Sequence, residues 1–197
     1  NMLTDTFGRR HDYLRISLTE RCNMRCFYCM PEEGIPLRPK EEFMRQEELL
    51  SIAGTFVSMG VRKIRLTGGE PLIRRDAAEI IEGLSRLPVE LAITTNGVLV
   101  DRFIEVFQRA RIQSVNVSLD SLDAEKMHRI TRRDHFEQVM ANIRLLMREG
   151  FDVKVNVVLI RGTNDDEIGD FVQWTADEGV RVRFIEFMPF DGNKWDW

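Results

Sequence analysis

Apolar residues recur along the chain with two periods. Short runs alternate apolar and polar positions, and between them lie stretches with apolar residues at i, i+3 and i+4. The first pattern predicts strands over 14–18, 62–67, 90–95, 114–119, 152–160 and 181–187. The second predicts helices over 46–59, 76–86, 101–110, 135–149 and 165–177. In the first helix Leu49, Leu50, Ala53, Phe56 and Val57 make one apolar stripe. Asn164-Asp165-Asp166 reads as a helix start, and Gly150 and Gly179 read as helix stops. Strict alternation of strand and helix implies parallel strands joined by right-handed crossovers.

The strands are two-faced. Leu14, Ile16 and Leu18 oppose Arg15 and Ser17, and Ile64 and Leu66 oppose Lys63, Arg65 and Thr67. Val115, Val117 and Leu119 oppose Ser114, Asn116 and Ser118, and Val153, Val155 and Val157 oppose Lys154 and Asn156. An open doubly wound sheet buries both faces and reads as continuous apolar runs. One apolar and one polar face instead fits an α/β fold of the parallel (β/α)6 kind, a partial TIM-like barrel with a wet, ligand-filled interior. No linker-like run or repeat interrupts residues 1–197, so a single domain is expected.

Composition narrows the function. With 43% hydrophobic and 30% charged residues the chain can bury a core and is not disordered. Apolar runs such as 157–160 fall far short of the ~20 residues that span a bilayer, so no membrane role is expected. A net charge of −4 argues against nucleic acid as a partner. Three cysteines within eight residues make a poor disulfide framework and point to a reducing, cytoplasmic setting.

Those cysteines, Cys22, Cys26 and Cys29, form a C-x3-C-x2-C run on the loop after the first strand, the edge where (β/α) enzymes build their sites. Three thiolates there can hold three irons of a [4Fe–4S] cube and leave the fourth open to a ligand. The alternative is a zinc-stabilised, non-catalytic binding module. Such a site needs a histidine, and His11, His128 and His135 have no standard spacing to the cysteines. A second motif, Thr67-Gly68-Gly69-Glu70-Pro71, ends the second strand. The glycine pair either lets a ligand approach the backbone or makes a tight turn, and it is neither a G-x-G-x-x-G nor a P-loop.

Cys22-x3-Cys26-x2-Cys29 with an aromatic, Tyr28, before the third cysteine, followed by Gly-Gly-Glu-Pro, resembles the radical S-adenosylmethionine (SAM) enzymes. More closely, Leu14-Arg-Ile-Ser-Leu-Thr-Glu-Arg-Cys-Asn, Tyr28-Cys-Met-Pro, Lys63-Ile-Arg-Leu-Thr-Gly-Gly-Glu-Pro-Leu, Thr94-Thr-Asn-Gly, Asn116-Val-Ser-Leu-Asp, Val153-Lys-Val-Asn-Val-Val and Arg183-Phe-Ile-Glu-Phe-Met-Pro are similar to the GTP 3′,8-cyclase family of molybdenum cofactor biosynthesis. The resemblance implies the radical SAM type of (β/α)6 partial barrel. It implies a [4Fe–4S] cluster on Cys22, Cys26 and Cys29, and SAM lined by Tyr28, Gly69, Ser118 and Met188. Reductive cleavage of SAM would give a 5′-deoxyadenosyl radical that takes the C3′ hydrogen of GTP, after which C3′ bonds to C8 of guanine. GTP contacts would come from Arg15, Arg65, Thr94 and Lys154. An electron donor and a next-step pterin synthase would be partners.

Arg15, Arg65 and Lys154 already lie on the polar strand faces, and three cations in one lumen repel unless an anion joins them. The alternative is an internal salt bridge to Glu70 or Glu186. A peptide-modifying radical SAM enzyme is the rival reading, though a peptide gives no reason for the cations. The family's C-terminal region, with a second three-cysteine cluster for the purine and a Gly-Gly tail, has no counterpart in these residues. The fragment is therefore expected to cleave SAM without coupled cyclisation, and its uncovered barrel mouth to favour association, as in a homodimer. His11, His128, His135 and Arg129, Arg132 and Arg133 read as a solvated face, and Trp195 and Trp197 as a surface for the absent region.

Overall fold

A computed structural model describes residues 3–188; the expectation for Trp195 and Trp197 lies outside the described residues. Six strands run in the order β1-β2-β3-β4-β5-β6 (Tyr13–Ser17, Lys63–Thr67, Glu90–Thr95, Ser114–Ser118, Asp152–Leu159, Arg181–Glu186). Six helices lie between them, with α4 and α5 both between β4 and β5: α1 (Gln46–Ser58), α2 (Ala77–Leu84), α3 (Ile104–Arg109), α4 (Ala124–Thr131), α5 (Phe136–Arg148) and α6 (Ile168–Glu178). All six expected strands form, and β1–β2, β2–β3 and β5–β6 pair parallel. The α/β alternation agrees with the (β/α)6 expectation.

The chain divides into two compact units. The first takes the residues up to Cys22, Leu37–Thr95 and Leu99–Val115. Its core is Ile64 and Leu66 of β2, Leu91 and Ile93 of β3, Leu49 and Ala53 of α1, Ile80, Ile81 and Leu84 of α2, and Phe107 of α3, all nearly inaccessible. Fully burying such a side chain contributes roughly 1.5–3 kcal/mol. The second unit takes Asn23–Pro36, Asn96–Val98 and the residues from Asn116 onward. Here Val117, Val155 and Val157 of the strands are buried, as are Ile130, Val139, Ile143, Leu146 and Phe171 of α4, α5 and α6.

Two local departures have physical causes. α6 begins at Ile168 rather than at 165, after a single 3-10 turn over Asp165–Glu167. The Asn164 side chain does not cap it. Its Oδ1 accepts from Ile160 N, and its Nδ2 donates to the carbonyls of Asp120 and Val158. The unexpected helix is α4. Asp123 caps it by accepting from Lys126 N at 2.7 Å, and only Met127, Ile130 and Thr131 are buried, too short a stripe to stand out by period alone.

Polar positions on the strands divide in burial. In β5 the alternation is clean, with Val153, Val155 and Val157 buried and Lys154 and Asn156 half-buried. In β2 and β4 the polar positions Arg65, Ser114 and Asn116 are themselves buried, so a uniformly wet polar face is not what forms.

Candidate functional site

In the first unit the Gly-Gly turn lies against the chain that leads into Cys22. Gly69 N–H donates to Thr19 O and Glu70 N–H to Arg21 O, both at 2.8 Å. A Cβ on Gly69 would stand 2.2 Å from Arg21 O, and one on Gly68, at φ +152, 2.7 Å from Thr19 O. Both glycines are therefore required by backbone approach. Glu70 does not face the arginines. It is fully buried, caps the 3-10 turn over Pro71–Ile73 through Leu72 N at 3.1 Å, and accepts from the Thr95 hydroxyl at 2.7 Å. The motif thus makes a tight turn and also exposes backbone; the two readings are compatible.

The cations of this unit are sorted by strand register. Lys63 stands beside Glu90 of β3 and pairs with it at 2.6 Å. Two residues on, Arg65 stands between Ala92 of β3 and Arg15 of β1. Arg65 is only 8% exposed, and its partners are all neutral. Nε donates to the Tyr13 hydroxyl at 2.8 Å, Nη1 to Ile93 O at 3.0 Å and Thr94 Oγ1 at 3.4 Å, and Nη2 to Ser114 Oγ at 3.5 Å. No carboxylate reaches Arg65 or Arg15 among the described residues, so the internal salt bridge to Glu70 or Glu186 is not formed by either. Thr94 is brought to Arg65 as the shared polar face requires.

In the second unit the cysteine loop is held at both ends of its Cys26–Cys29 turn. Cys29 N and Met30 N donate to Cys26 O. The C-terminal carbonyls of α4 accept from the loop, Thr131 O from Arg25 N at 2.9 Å and Ile130 O from Phe27 N at 3.0 Å. Arg132, at φ 55, then donates through Nη1 to Arg25 O at 3.1 Å and Met30 O at 3.4 Å. A non-glycine residue in the left-handed region is a local cost, and here it aims a guanidinium at the loop. Arg132 is therefore not part of a solvated face, which corrects that expectation; the helix it closes was itself not anticipated.

Tyr28 lies between Cys26 and Cys29, and its hydroxyl donates to Asp120 Oδ2 at 2.7 Å. Burial pushes the Asp120 carboxyl up to about 6, although the Tyr28 and Val158 hydrogen bonds pull the other way. Burial, then the Asp120 charge, lifts the Tyr28 phenol well above its ordinary value. The Cys29 residue is exposed, yet protein around its thiol, and then Asp120, raise its pKa. Deprotonation would accompany metal binding. No three metal-ligating side chains converge on one point among the described residues; a cube takes one thiolate per iron and does not need them to.

The other expected residues of this unit are as follows. Ser118 ends β4, half-buried. Met188 is 72% exposed, so it is not core filling. Lys154 pairs with Asp152 at 3.5 Å, and Asp152 also pairs with Arg181, the strand neighbour of Lys154. Two cations thus share one carboxylate, an internal salt bridge with a partner not foreseen. Arg183, beside Asn156 in register, is a further cation that the strand pattern alone did not single out. The Oδ1 atoms of Asn116 and Asn156 are buried without a hydrogen-bond partner. An unsatisfied buried acceptor costs roughly 1–3 kcal/mol, so both positions fit a ligand that brings donors. Hydroxyl and amino groups, which SAM and a nucleotide both carry, are such donors.

The chain is 54% identical over 195 residues to molybdenum cofactor biosynthesis protein 1 of Drosophila melanogaster, covering 98% of this chain and 34% of that one. It is 53% identical to the mitochondrial GTP 3′,8-cyclase of Arabidopsis thaliana (100% and 51%) and 45% identical to GTP 3′,8-cyclase of Listeria welshimeri (98% and 60%). The chain therefore spans about a third to three fifths of these relatives. Among solved structures, Streptococcus suis SuiB bound to S-adenosylmethionine aligns with a TM-score of 0.74 at 18% identity, over 94% of this chain and 41% of that one. At that identity the likeness is one of fold, and it agrees with the expected partial-barrel type. The family model, Radical SAM superfamily, matches residues 16–175. That match opens inside β1, takes in the cysteine loop, the Gly-Gly turn and residues of both units, and closes in α6, and on it the chain belongs to the radical SAM superfamily.

Proposed function

We propose that this chain is the radical SAM part of a GTP 3′,8-cyclase acting in molybdenum cofactor biosynthesis. The observation that carries the substrate is the pair Arg15 and Arg65. They are strand neighbours, no carboxylate reaches them among the described residues, and the sheet has neutralised Lys63 only two positions away. Arg65 is buried, and removing a cation from water without a counter-ion costs several kcal/mol, which a triphosphate would offset through charge-assisted hydrogen bonds; Arg15 beside it is exposed and would meet the same phosphates from the solvent side. Arg65 is pre-oriented by Tyr13, Ile93, Thr94 and Ser114 before any ligand arrives.

Cys22, Cys26 and Cys29 would hold the [4Fe–4S] cluster, and when bound the cluster and SAM supply the hydrogen-abstracting chemistry. The chain's own residues do the placing. The Gly69 carbonyl would take the SAM ammonium. Ser118 and the unsatisfied oxygens of Asn116 and Asn156 would accept from hydroxyl or amino groups. Tyr28 and Met188 would pack on the adenosyl part, the thioether being polarizable. Lys154, already half-neutralised by Asp152, would add to the phosphate field. An electron donor, a pterin synthase that takes the product onward, a cytoplasmic setting and a homodimeric state belong to the same proposal. No helix among the described residues is long and apolar enough to cross a membrane.

The test is binding by the cluster-loaded protein under anaerobic conditions. Arg65→Ala is expected to weaken GTP by roughly 1.5–3 kcal/mol, the range for hydrogen bonds to charged groups, and to leave SAM affinity unchanged. If guanosine binds the parent protein as tightly as GTP, the arginine pair is not a phosphate site and the reading falls.

A further inference from the structure

One buried polar side chain of the second unit is used by no assigned role. Asp120 is 2% exposed, and both its oxygens are taken. Oδ2 accepts from the Tyr28 hydroxyl at 2.7 Å, a bond across 92 residues, and Oδ1 accepts from Val158 N at 2.8 Å. Two donors meeting one side chain need two acceptors. A carboxylate has them; a carboxamide has one, and its NH2 would face the other donor.

The loop that carries Asp120 is pinned from outside. Asn164 Nδ2 donates to Asp120 O at 2.8 Å. One and two residues on, Ser121 Oγ and Leu122 N both donate to the buried Glu167 carboxylate at 2.9 Å, and Lys126 pairs with that carboxylate at 3.1 Å. The Tyr28 ring is held edge-on by Phe27 and Phe187, with centroids 5.9 and 6.4 Å away. Its polar tip is held by Asp120. Aromatic edges leave a ring able to slide, whereas the hydroxyl bond fixes where it stops.

We infer that Asp120 is a positioning residue for the cofactor site, fixing the Tyr28 ring, and with it the Cys26–Cys29 turn, in the pose that receives SAM. This rests on the reading of Tyr28 as a SAM-lining residue. Asp120 acts through Tyr28, so the two side chains form one unit and their substitutions are not additive.

The experiment uses the cluster-loaded protein and measures SAM affinity by equilibrium dialysis, iron content, and the change in the electron paramagnetic resonance spectrum of the reduced cluster when SAM is added. Asp120→Asn and Tyr28→Phe are each expected to weaken SAM about tenfold, the loss for one hydrogen bond to a charged group, with iron content retained and the spectral change diminished. The double variant is expected to bind no more weakly than the weaker single variant. Additive losses would show that the two act independently and overturn the inference. Tyr28→Ala separates it from the reading beneath it. If Tyr28→Ala weakens SAM but Asp120→Asn and Tyr28→Phe bind as the parent does, Tyr28 lines the site and Asp120 does not position it. If Tyr28→Ala binds as the parent does, both fall. Should Asp120→Asn lose its cluster, Tyr28→Phe decides alone, since it keeps the carboxylate and removes only the bond; parental SAM affinity there overturns the inference.

Discussion

Gly69→Ala isolates the closest backbone approach in the first unit. The added Cβ would sit 2.2 Å from Arg21 O, 2.6 Å from Arg21 C and 2.7 Å from Glu20 O. None of these atoms is the far end of a flexible side chain, so the strand-to-turn backbone must retreat by about 1.3 Å to restore van der Waals separation near 3.5 Å. Retreat breaks the bonds from Gly69 N to Thr19 O and from Glu70 N to Arg21 O. Each is worth about 1 kcal/mol net, and overpacking adds roughly 1–3 kcal/mol. The expected loss is therefore about 3–5 kcal/mol, a large part of the roughly 5–15 kcal/mol that stabilises a domain. Urea unfolding of the metal-free chain, followed by tryptophan fluorescence and far-UV circular dichroism, measures it. Gly169→Ala is the control. It lies in α6 with nothing within 4 Å of its Cβ position, and there alanine is expected to stabilise by about 0.5–1 kcal/mol. A Gly69→Ala midpoint equal to the parent's, with an unchanged slope, would refute the steric account and leave the Gly-Gly pair to be explained by the ligand alone.

Two further outcomes are expected. Arg132→Gly relieves the left-handed backbone but removes the bonds to Arg25 O and Met30 O, so stability is expected to change by less than about 1 kcal/mol while proteolysis at the 25–30 loop becomes faster; an unchanged cleavage rate would show that the guanidinium does not hold the loop. The Arg144 guanidinium, donating to Glu178 at 2.8 and 3.1 Å, holds that carboxyl below its ordinary 4.5. A folded-state pKa depressed in this way contributes stability that is present above pH 4.5 and is lost as pH falls through the depressed value. In Arg144→Ala that part of the acid dependence is expected to vanish, as read from denaturation midpoints between pH 3 and 7, and parental acid dependence would refute the pairing.

Period alone carried the six strands and five of the helices because each has a stripe long enough to repeat. It failed at α4, where Met127 and Ile130 are the only large apolar residues among charged and polar neighbours, and that helix proves to be the socket of the cysteine loop. Arg132 was misread for the same reason. With no helix ending before it, nothing marked it as a left-handed cap, and a run of arginines looks like a solvated face. The motif cysteines, Gly-Gly and the polar strand faces were legible because their chemistry is local: spacing on one loop, a turn after one strand, alternation along one strand. What stayed hidden is set by register between strands. Sequence puts Lys63 and Arg65 on one face of β2 as equals, and only pairing shows that Lys63 meets Glu90 while Arg65 meets Ala92 and Arg15. That difference is what supports the proposal of an anion site at Arg65 and Arg15. Register also sets Lys154 apart from Arg65: its own strand supplies Asp152, which it shares with Arg181, whereas no carboxylate reaches Arg65 among the described residues.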